Sequence, residues 1–569
     1  MNTLMEKTDK IEWLNDYSRA FLARGYLLKD VTVEERIRQI AKHAETLLRK
    51  KGFADKFYKY MSKGYYSLAS PIWSNFGLSK GLPISCYSSY IGDDMGQILF
   101  TQAEVGMMSK YGGGTSAYFG DLRPRGAPIK DNGYSSGAVH FMQLFDKLVN
   151  VVSQGSIRRG NFAAYLPIEH PDIEEFLNIG KEGNPIQGIT YGVTVKDKWL
   201  QEMIDGDSKK RAIWAKVLET RSQIGYPYIM FYDTVNRETV DVYKDKGLTI
   251  KSSNLCSEIL LPTNEKWSFV CDLSSMNLLY YDEWKDTDAV ETLVYFLDAV
   301  MSDFIIKLEE MRDSGDSIKR QSFLFMERAY NFAKDNRALG LGVLGWHSFL
   351  QSKMIPLESK EAARLNTQIF KLIKEKAYAT SVNLAKEYGE PEILKGYGRR
   401  NTTLMAVAPT TSSAFILGQV SQSIEPVWSN CYVKDIDKMK VTIKNKYLMK
   451  LLEEKGKNTP EVWTSIRDND GSVQHLDFLT DKEKSVFKTF QEIDQKVLID
   501  LAGTRQAYID QGQSLNLTIN PKTPAREINA LYLYAWKMGI KTLYYQHSVN
   551  AAQQFGRKKA LEACATCQA

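Results

Sequence analysis

Ser252-Ser253-Asn254-Leu255-Cys256-Ser257-Glu258-Ile259-Leu260-Leu261-Pro262 carries one cysteine, with an amide two residues before it and a carboxylate two residues after. In an extended segment, residues i−2, i and i+2 project to one side. The spacing predicts Asn254, Cys256 and Glu258 on a shared face, with Leu255 anchoring the other. A sulfur, a hydrogen-bonding amide and a proton acceptor would then meet one small substrate. Taken alone, the stretch reads more readily as a half-buried strand with a thiol used as a small core hydrophobe. The rest of the chain decides between the two.

At 569 residues the chain is long enough for one large domain with appendages. Its 43% hydrophobic and 25% charged residues are those of a globular protein. The formal charge of +6 is small for this length and comes without clustered basic runs, which argues for anionic small molecules and against nucleic acid. No run of about 18 apolar residues is present, so no membrane span is expected. The start, Met1 to Lys7, has no apolar signal core, and a cytoplasmic protein is expected. Six cysteines are too few for a disulfide framework, which leaves chemistry or packing. There is no internal repeat, low-complexity tract or long linker.

Residues from about Lys10 to Tyr66 read as helices. Thr32 followed by Glu35 marks a helix start, and Ile37, Ile40, Ala41, Ala44 and Leu48 recur at helical spacing. Cys86 lies in a strand-like run, and Asp93-Asp94-Met95 after it can open a helix. Gly112-Gly113-Gly114 allows close backbone approach to a ligand, or is a plain tight turn. Ser156-Ile157-Arg158-Arg159-Gly160-Asn161 offers two arginines to phosphates or bases, or simply to solvent. Cys271 sits in a second strand-like run fifteen residues beyond Cys256, and 288–397 is mostly amphipathic helix. The glycines of Ala338 to Gly345 suit packing better than phosphate. Leu404 to Ala408 reads as an apolar strand running into Pro409-Thr410-Thr411-Ser412-Ser413. A helix beginning there would seat a phosphate on its free N–H groups, or be capped in the ordinary way. Tyr544 and Tyr545 end a strand. The tail closes on Cys564-Ala565-Thr566-Cys567, which lacks a second ligand pair for zinc but suits thiol exchange.

These motifs, in this order, resemble the large catalytic subunit of class I ribonucleoside-diphosphate reductase, from about Trp13 to the C-terminus. Gly225-Tyr226-Pro227-Tyr228-Ile229-Met230-Phe231 looks closest to the class Ib branch. The resemblance implies an α/β fold: a ten-stranded barrel of two five-stranded halves with a central finger loop, preceded by a helical domain. The expected division is 1–66 helical, 67–554 barrel and 555–569 a flexible redox-active tail. By resemblance, Cys256 carries a transient thiyl radical, Glu258 takes the 3′-hydroxyl proton, and Asn254 holds the substrate hydroxyls. Cys86 and Cys271 are the reducing pair, which must lie roughly 4.4–6.8 Å apart, Cα to Cα, to form a disulfide. Cys564 and Cys567 re-reduce that pair and are recharged by thioredoxin or glutaredoxin. About fifteen residues of tail reach at most ~50 Å extended, and ~20 Å as a coil.

Tyr545 and Tyr544 resemble a radical relay from a partner small subunit. No cofactor is expected in this chain; a di-iron, di-manganese or mixed centre in the small subunit would generate the radical. The substrate diphosphate would sit on Pro409, Thr410, Thr411, Ser412 and Ser413, helped by Ser70 and Ser85, with Gly114, Leu255 and Ser257 also at the substrate. A dNTP or ATP effector is expected at Asp93, Asp94, Met95 and Arg123, signalling through Ser156, Arg158 and Arg159 with a coupling of ~1–3 kcal/mol. A homodimer is expected. The family's N-terminal ATP cone has no counterpart before the entry helices, so no overall on/off control by ATP and dATP is expected. Cys431 matches no family role and reads as a packed thiol. The rival readings are a cobalamin-dependent reductase, which would not need Tyr544 and Tyr545, and a non-catalytic nucleotide-binding homologue.

Overall fold

The computed structural model describes residues 11–154, 158–436 and 439–548. Its first part is helical, with helices Asp16–Leu22, Val33–Leu48, Phe53–Ser62 and Ser70–Asn75. Thr32 accepts the Glu35 N–H and the Glu35 carboxylate accepts the Thr32 N–H, so the capping box expected from the sequence is present. Ile37, Ile40, Ala41, Ala44 and Leu48 are the buried stripe of that helix. They share one core with the long helices Ala289–Arg312 and Lys360–Tyr388.

The centre of the molecule is a barrel of ten chain segments. Cys86–Ser88, Gly114–Tyr118, Asn161–Pro167, Thr190–Val195 and Tyr228–Phe231 pair in that order, all parallel. Parallel neighbours require long crossovers, and helices Met95–Lys110, Ala138–Val151 and Ser208–Ile224 supply three of them. The second half begins with Phe269–Asn277, parallel to Leu339–Leu344. Parallel bridges Leu341 to Met405 and Val407 to Gln513 continue it, and Leu517–Thr518 pairs parallel with Gln546–His547. Two antiparallel seams join the halves: Cys86–Ser88 against Phe269–Cys271, and Thr542–Leu543 against Ile229–Met230. The ring closes, so the inner strands present no open edge.

Two glycines make the second half possible. A Cβ on Gly342 would stand 2.7 Å from the Ala406 carbonyl oxygen, and one on Gly340 would stand 2.5 Å from Leu273 Cδ2. Both serve close strand approach, in keeping with the packing role expected for this run.

Candidate active site

Residues 250–262 leave the first half-barrel and pass through its centre before Phe269–Asn277 begins. The segment was expected to be extended. Instead 254–257 form a tight turn, because the Asn254 and Ser257 backbones close on Ile259 and Asn254: Asn254 N–H donates to Ile259 O at 3.2 Å, and Ser257 N–H to Asn254 O at 3.3 Å. Ser257 adopts a left-handed φ of 69°, unusual for a residue with a side chain. Its carbonyl accepts a hydrogen bond from Thr542 Oγ1 at 2.9 Å, which holds the turn in place. The turn still gathers Asn254, Cys256 and Glu258 at one cavity. Leu255 lines the same cavity and also touches the tyrosine cluster, which corrects its expected position on an opposite face.

The loop is fixed from every side. Ser116 Oγ donates to Ser253 O at 2.7 Å, and the Tyr165 hydroxyl bonds the Ser253 hydroxyl. Gly512 N–H donates to Glu258 O at 2.8 Å, and Leu260 N–H to Gln511 Oε1 at 3.0 Å. Ser514 Oγ lies 2.6 Å from Cys256 O and 3.1 Å from Glu258 Oε2. Burial pushes the Glu258 carboxyl up to about 7, against hydrogen bonds from Asn254 and Ser514 that favour its charged form. A carboxylate balanced near neutrality can both accept and release a proton.

Cys86 lines the cavity too, with Ser85, Gly114 and Cys256. Across the antiparallel seam Cys86 stands directly opposite Cys271. Directly opposed residues in such a pair are about 4.5–5.5 Å apart at Cα, inside the disulfide range. Both are thiols here. Cys86 is half-buried and takes a hydrogen bond from Asn254 Nδ2 at 3.8 Å. Cys271 is 1% exposed, does not line the cavity, and takes a hydrogen bond from Gln511 Nε2 at 3.5 Å. Burial raises the Cys271 thiol well above its ordinary range, and the Gln511 bond opposes this.

Tyr544 and Tyr545 lie between the short strands Thr542–Leu543 and Gln546–His547. In one continuous strand adjacent side chains would point to opposite faces. The break lets the two rings approach to 4.3 Å between centroids. Both are buried in one cluster with Cys256 and Leu255. Tyr228 packs against both, 4.8 Å from Tyr544 and 5.2 Å from Tyr545.

Of the residues expected at the diphosphate, Thr410 and Ser413 reach the cavity wall, whereas Pro409, Thr411 and Ser412 are not part of its lining. Thr411–Ile416 is helical, and Thr410 at its start (φ 54°) makes no side-chain cap. Ser70 opens its own helix; Ser67 and Ala69 from that region meet the cavity in its place. Asp93, Asp94, Met95 and Arg123 are gathered at one exposed corner. Asp94 caps the helix Met95–Lys110, and Arg123 Nε donates to Asp93 at 2.7 Å. Ser156, Cys564 and Cys567 lie outside the described residues, and so do the side chains of Arg158 and Arg159. Cys431 is packed among leucines and Trp463.

Gln511, Ser514, Thr542 and Tyr228 were not singled out from the sequence. Tyr228 lies within the run Gly225 to Phe231, and Gln511-Gly512-Gln513-Ser514 is a buried segment with one β-bridge at Gln513, whose hydrogen-bonding side chains need partners inside the molecule.

Two family descriptions match the chain. "Ribonucleotide reductase, all-alpha domain" matches residues 12–81, and "Ribonucleotide reductase, barrel domain" matches 84–211, 201–393 and 391–546. A Frog virus 3 (isolate Goorha) relative is 37% identical over 542 residues, covering 90% of this chain and 92% of its own. The ribonucleoside-diphosphate reductase large subunit of Invertebrate iridescent virus 3 is 34% identical over 573 residues, covering 87% of this chain and 88% of its own. Among solved structures, the Actinobacillus ureae class Id ribonucleotide reductase alpha subunit superposes with a TM-score of 0.88 at 56% identity, covering 95% of this chain and 98% of that one. The resemblance in the sequence pointed to the class Ib branch, and this solved relative carries the class Id name. With a closed barrel, a central cysteine loop and family matches along nearly all of its length, the chain belongs to the ribonucleotide reductase large-subunit family.

Proposed function

We propose that this chain reduces ribonucleoside diphosphates to 2′-deoxyribonucleoside diphosphates at the Cys256 cavity, together with a radical-generating small subunit. The observation that carries the reading is the meeting of Cys256, Glu258, Asn254 and Cys86 at one cavity, with Cys271 opposite Cys86 across the seam.

A metal centre in the small subunit supplies the one-electron oxidant. Tyr545 and then Tyr544 pass the oxidation inward, each phenol losing an electron and a proton together, and Cys256 ends as the thiyl. Cys256 takes the 3′ hydrogen of the ribose while Glu258 accepts the 3′-hydroxyl proton. The 2′-hydroxyl then leaves as water. Cys86 and Cys271 give up two electrons and two protons and become a disulfide, and Cys256 returns the hydrogen. Asn254 orients the hydroxyls, and its amide also ties the turn together through Ile259 N–H.

The diphosphate lies towards Thr410 and Ser413, and Ser85 and Gly114 meet the sugar side. The corner formed by Asp93, Asp94, Met95 and Arg123 takes a dNTP or ATP effector in a homodimer. The tail of residues 555–569 carries the dithiol that thioredoxin or glutaredoxin recharges; 1–66 is the helical entry domain and 67–554 the barrel.

Turnover of CDP with a class I small subunit and dithiothreitol tests this reading. The wild-type chain forms dCDP and Cys256→Ser forms none. Product from Cys256→Ser, or product with adenosylcobalamin and no small subunit, overturns it.

A further inference from the structure

We infer that re-reduction of the Cys86–Cys271 disulfide has a fixed direction: the incoming thiolate attacks Cys86, Cys271 leaves, and Gln511 is the positioning residue that receives the departing sulfur. The inference rests on the reductive pairing given under Proposed function.

The direction follows from access. Thiol–disulfide exchange runs through a near-linear array of three sulfurs, so the attacker must reach one sulfur from the side opposite its partner. Cys86 is half-buried and lines the cavity, while Cys271 is 1% exposed and does not. Cys271 is packed into a buried apolar cluster, and the neighbouring strand comes so close that a Cβ on Gly340 would stand 3.1 Å from its sulfur. Cys86 is thus the sulfur that an incoming thiol can meet from the cavity.

The leaving sulfur then bears a negative charge in an apolar place. Exchange is faster when the leaving thiol is more acidic, and burial acts in the wrong direction at Cys271. Gln511 Nε2 is the hydrogen-bond donor aimed at that sulfur, and its bond opposes the effect of burial. The amide is held to serve it. Gln511 Oε1 accepts from Leu260 N–H at 3.0 Å, and Nε2 also donates to Leu339 O at 3.0 Å and meets Thr403 Oγ1 at 3.1 Å. Nε2 has two hydrogens for three acceptors. An anionic sulfur is the strongest claimant among them, so the bond tightens as Cys271 departs. Thr403 also donates to Leu339 O, which keeps that carbonyl satisfied meanwhile.

The balance is simple. A thiolate forms a bond to Cys86 Sγ, the Cys86–Cys271 bond breaks, and its electron pair goes to Cys271, which then takes a proton. A second thiol attacks the mixed disulfide and releases Cys86. One dithiol is oxidised and one disulfide reduced.

The test uses full-length protein carrying Cys564→Ser and Cys567→Ser, so that the incoming thiol is an added one. After one turnover without reductant, the protein is exposed briefly to 2-mercaptoethanol, quenched in acid, alkylated and mapped by mass spectrometry. The expected product carries mercaptoethanol on Cys86 and the alkyl group on Cys271; the reverse pattern overturns the inference. Failure of any Cys86–Cys271 disulfide to form overturns the reductive pairing itself, and this inference with it.

Gln511→Glu keeps an acceptor for Leu260 N–H but loses the amide donor, whereas Gln511→Leu loses both. Losing one hydrogen bond to a charged sulfur slows the exchange about tenfold. Both variants should show this in the rate of disulfide reduction by dithiothreitol. Gln511→Glu exchanging at the wild-type rate while Gln511→Leu is slow would assign Gln511 to loop support alone and overturn its role towards the sulfur.

Discussion

Replacing Glu258 by Gln should make the protein far less active and more stable, with a gain that grows with pH. The carboxyl is buried, and its pKa is raised from 4.5 to about 7. The folded chain therefore binds this proton more tightly than the unfolded chain does. Stability falls as pH rises from about 4.5, and the full penalty is present above about 7. That difference corresponds to ~3 kcal/mol. By the same linkage the penalty is ~1 kcal/mol at pH 5.5 and ~3 kcal/mol at pH 8.5. Glutamine cannot ionise, has nearly the same shape, and keeps an oxygen for Ser514. The variant's advantage should thus increase by ~2 kcal/mol between those two pH values. For a chain of 569 residues this is a Tm difference of about 1–2 °C, within reach of scanning calorimetry on both proteins at both pH values. Loss of the base should lower turnover by roughly 10²–10⁴. A Tm difference that stays flat with pH, or a variant less stable at pH 8.5, would show that Glu258 carries no charge at a cost, and the acid–base assignment would lose its physical basis.

Tyr544→Phe and Tyr545→Phe should each abolish reduction at only a small cost in Tm, because the rings keep their 4.3 Å contact and lose only the hydroxyl; dCDP formation and calorimetry on the same samples check this. Gly342→Ala should destabilise the barrel by ~1–3 kcal/mol, since its methyl would meet the Ala406 carbonyl at 2.7 Å, and a lowered denaturation midpoint is the readout. Arg123→Ala should remove the effect of dNTP effectors on substrate choice. It should cost under ~1 kcal/mol of stability, because the ion pair with Asp93 is about one-third exposed; effector titration alongside a melting curve separates the two effects.

Much of this was legible in residue order. The entry helix declared itself through Thr32, Glu35 and the stripe from Ile37 to Leu48, because capping and helical periodicity are local properties. Phe269–Asn277 was legible as a strand-like run around Cys271, and the glycines of Ala338 to Gly345 as packing positions. The shape of the finger loop did not, because nothing local to 252–262 dictates a turn. A left-handed Ser257 is tolerated only where Thr542, some 285 positions away, holds its carbonyl. Leu255 was misplaced for the same reason. Gln511 and Ser514 stayed silent because their partners, Cys271, Leu260, Cys256 and Glu258, are more than two hundred residues distant. The close approach of Tyr544 to Tyr545, ring planes 55° apart, depends on a strand that stops and restarts, and no spacing rule foretells such a break.

The bonds that hold the finger loop come from Ser116 and Tyr165 early in the chain, and from Gln511, Ser514 and Thr542 near its end. During synthesis, a ribosome that has released residue 500 has already made every cysteine that meets or backs the cavity. It has not yet made Gln511, Ser514 and Thr542, which complete the frame of the loop, nor the tyrosine pair. The reactive centre is thus completed only near the end of synthesis, and a truncated chain carries its sulfurs without the frame that would arm them.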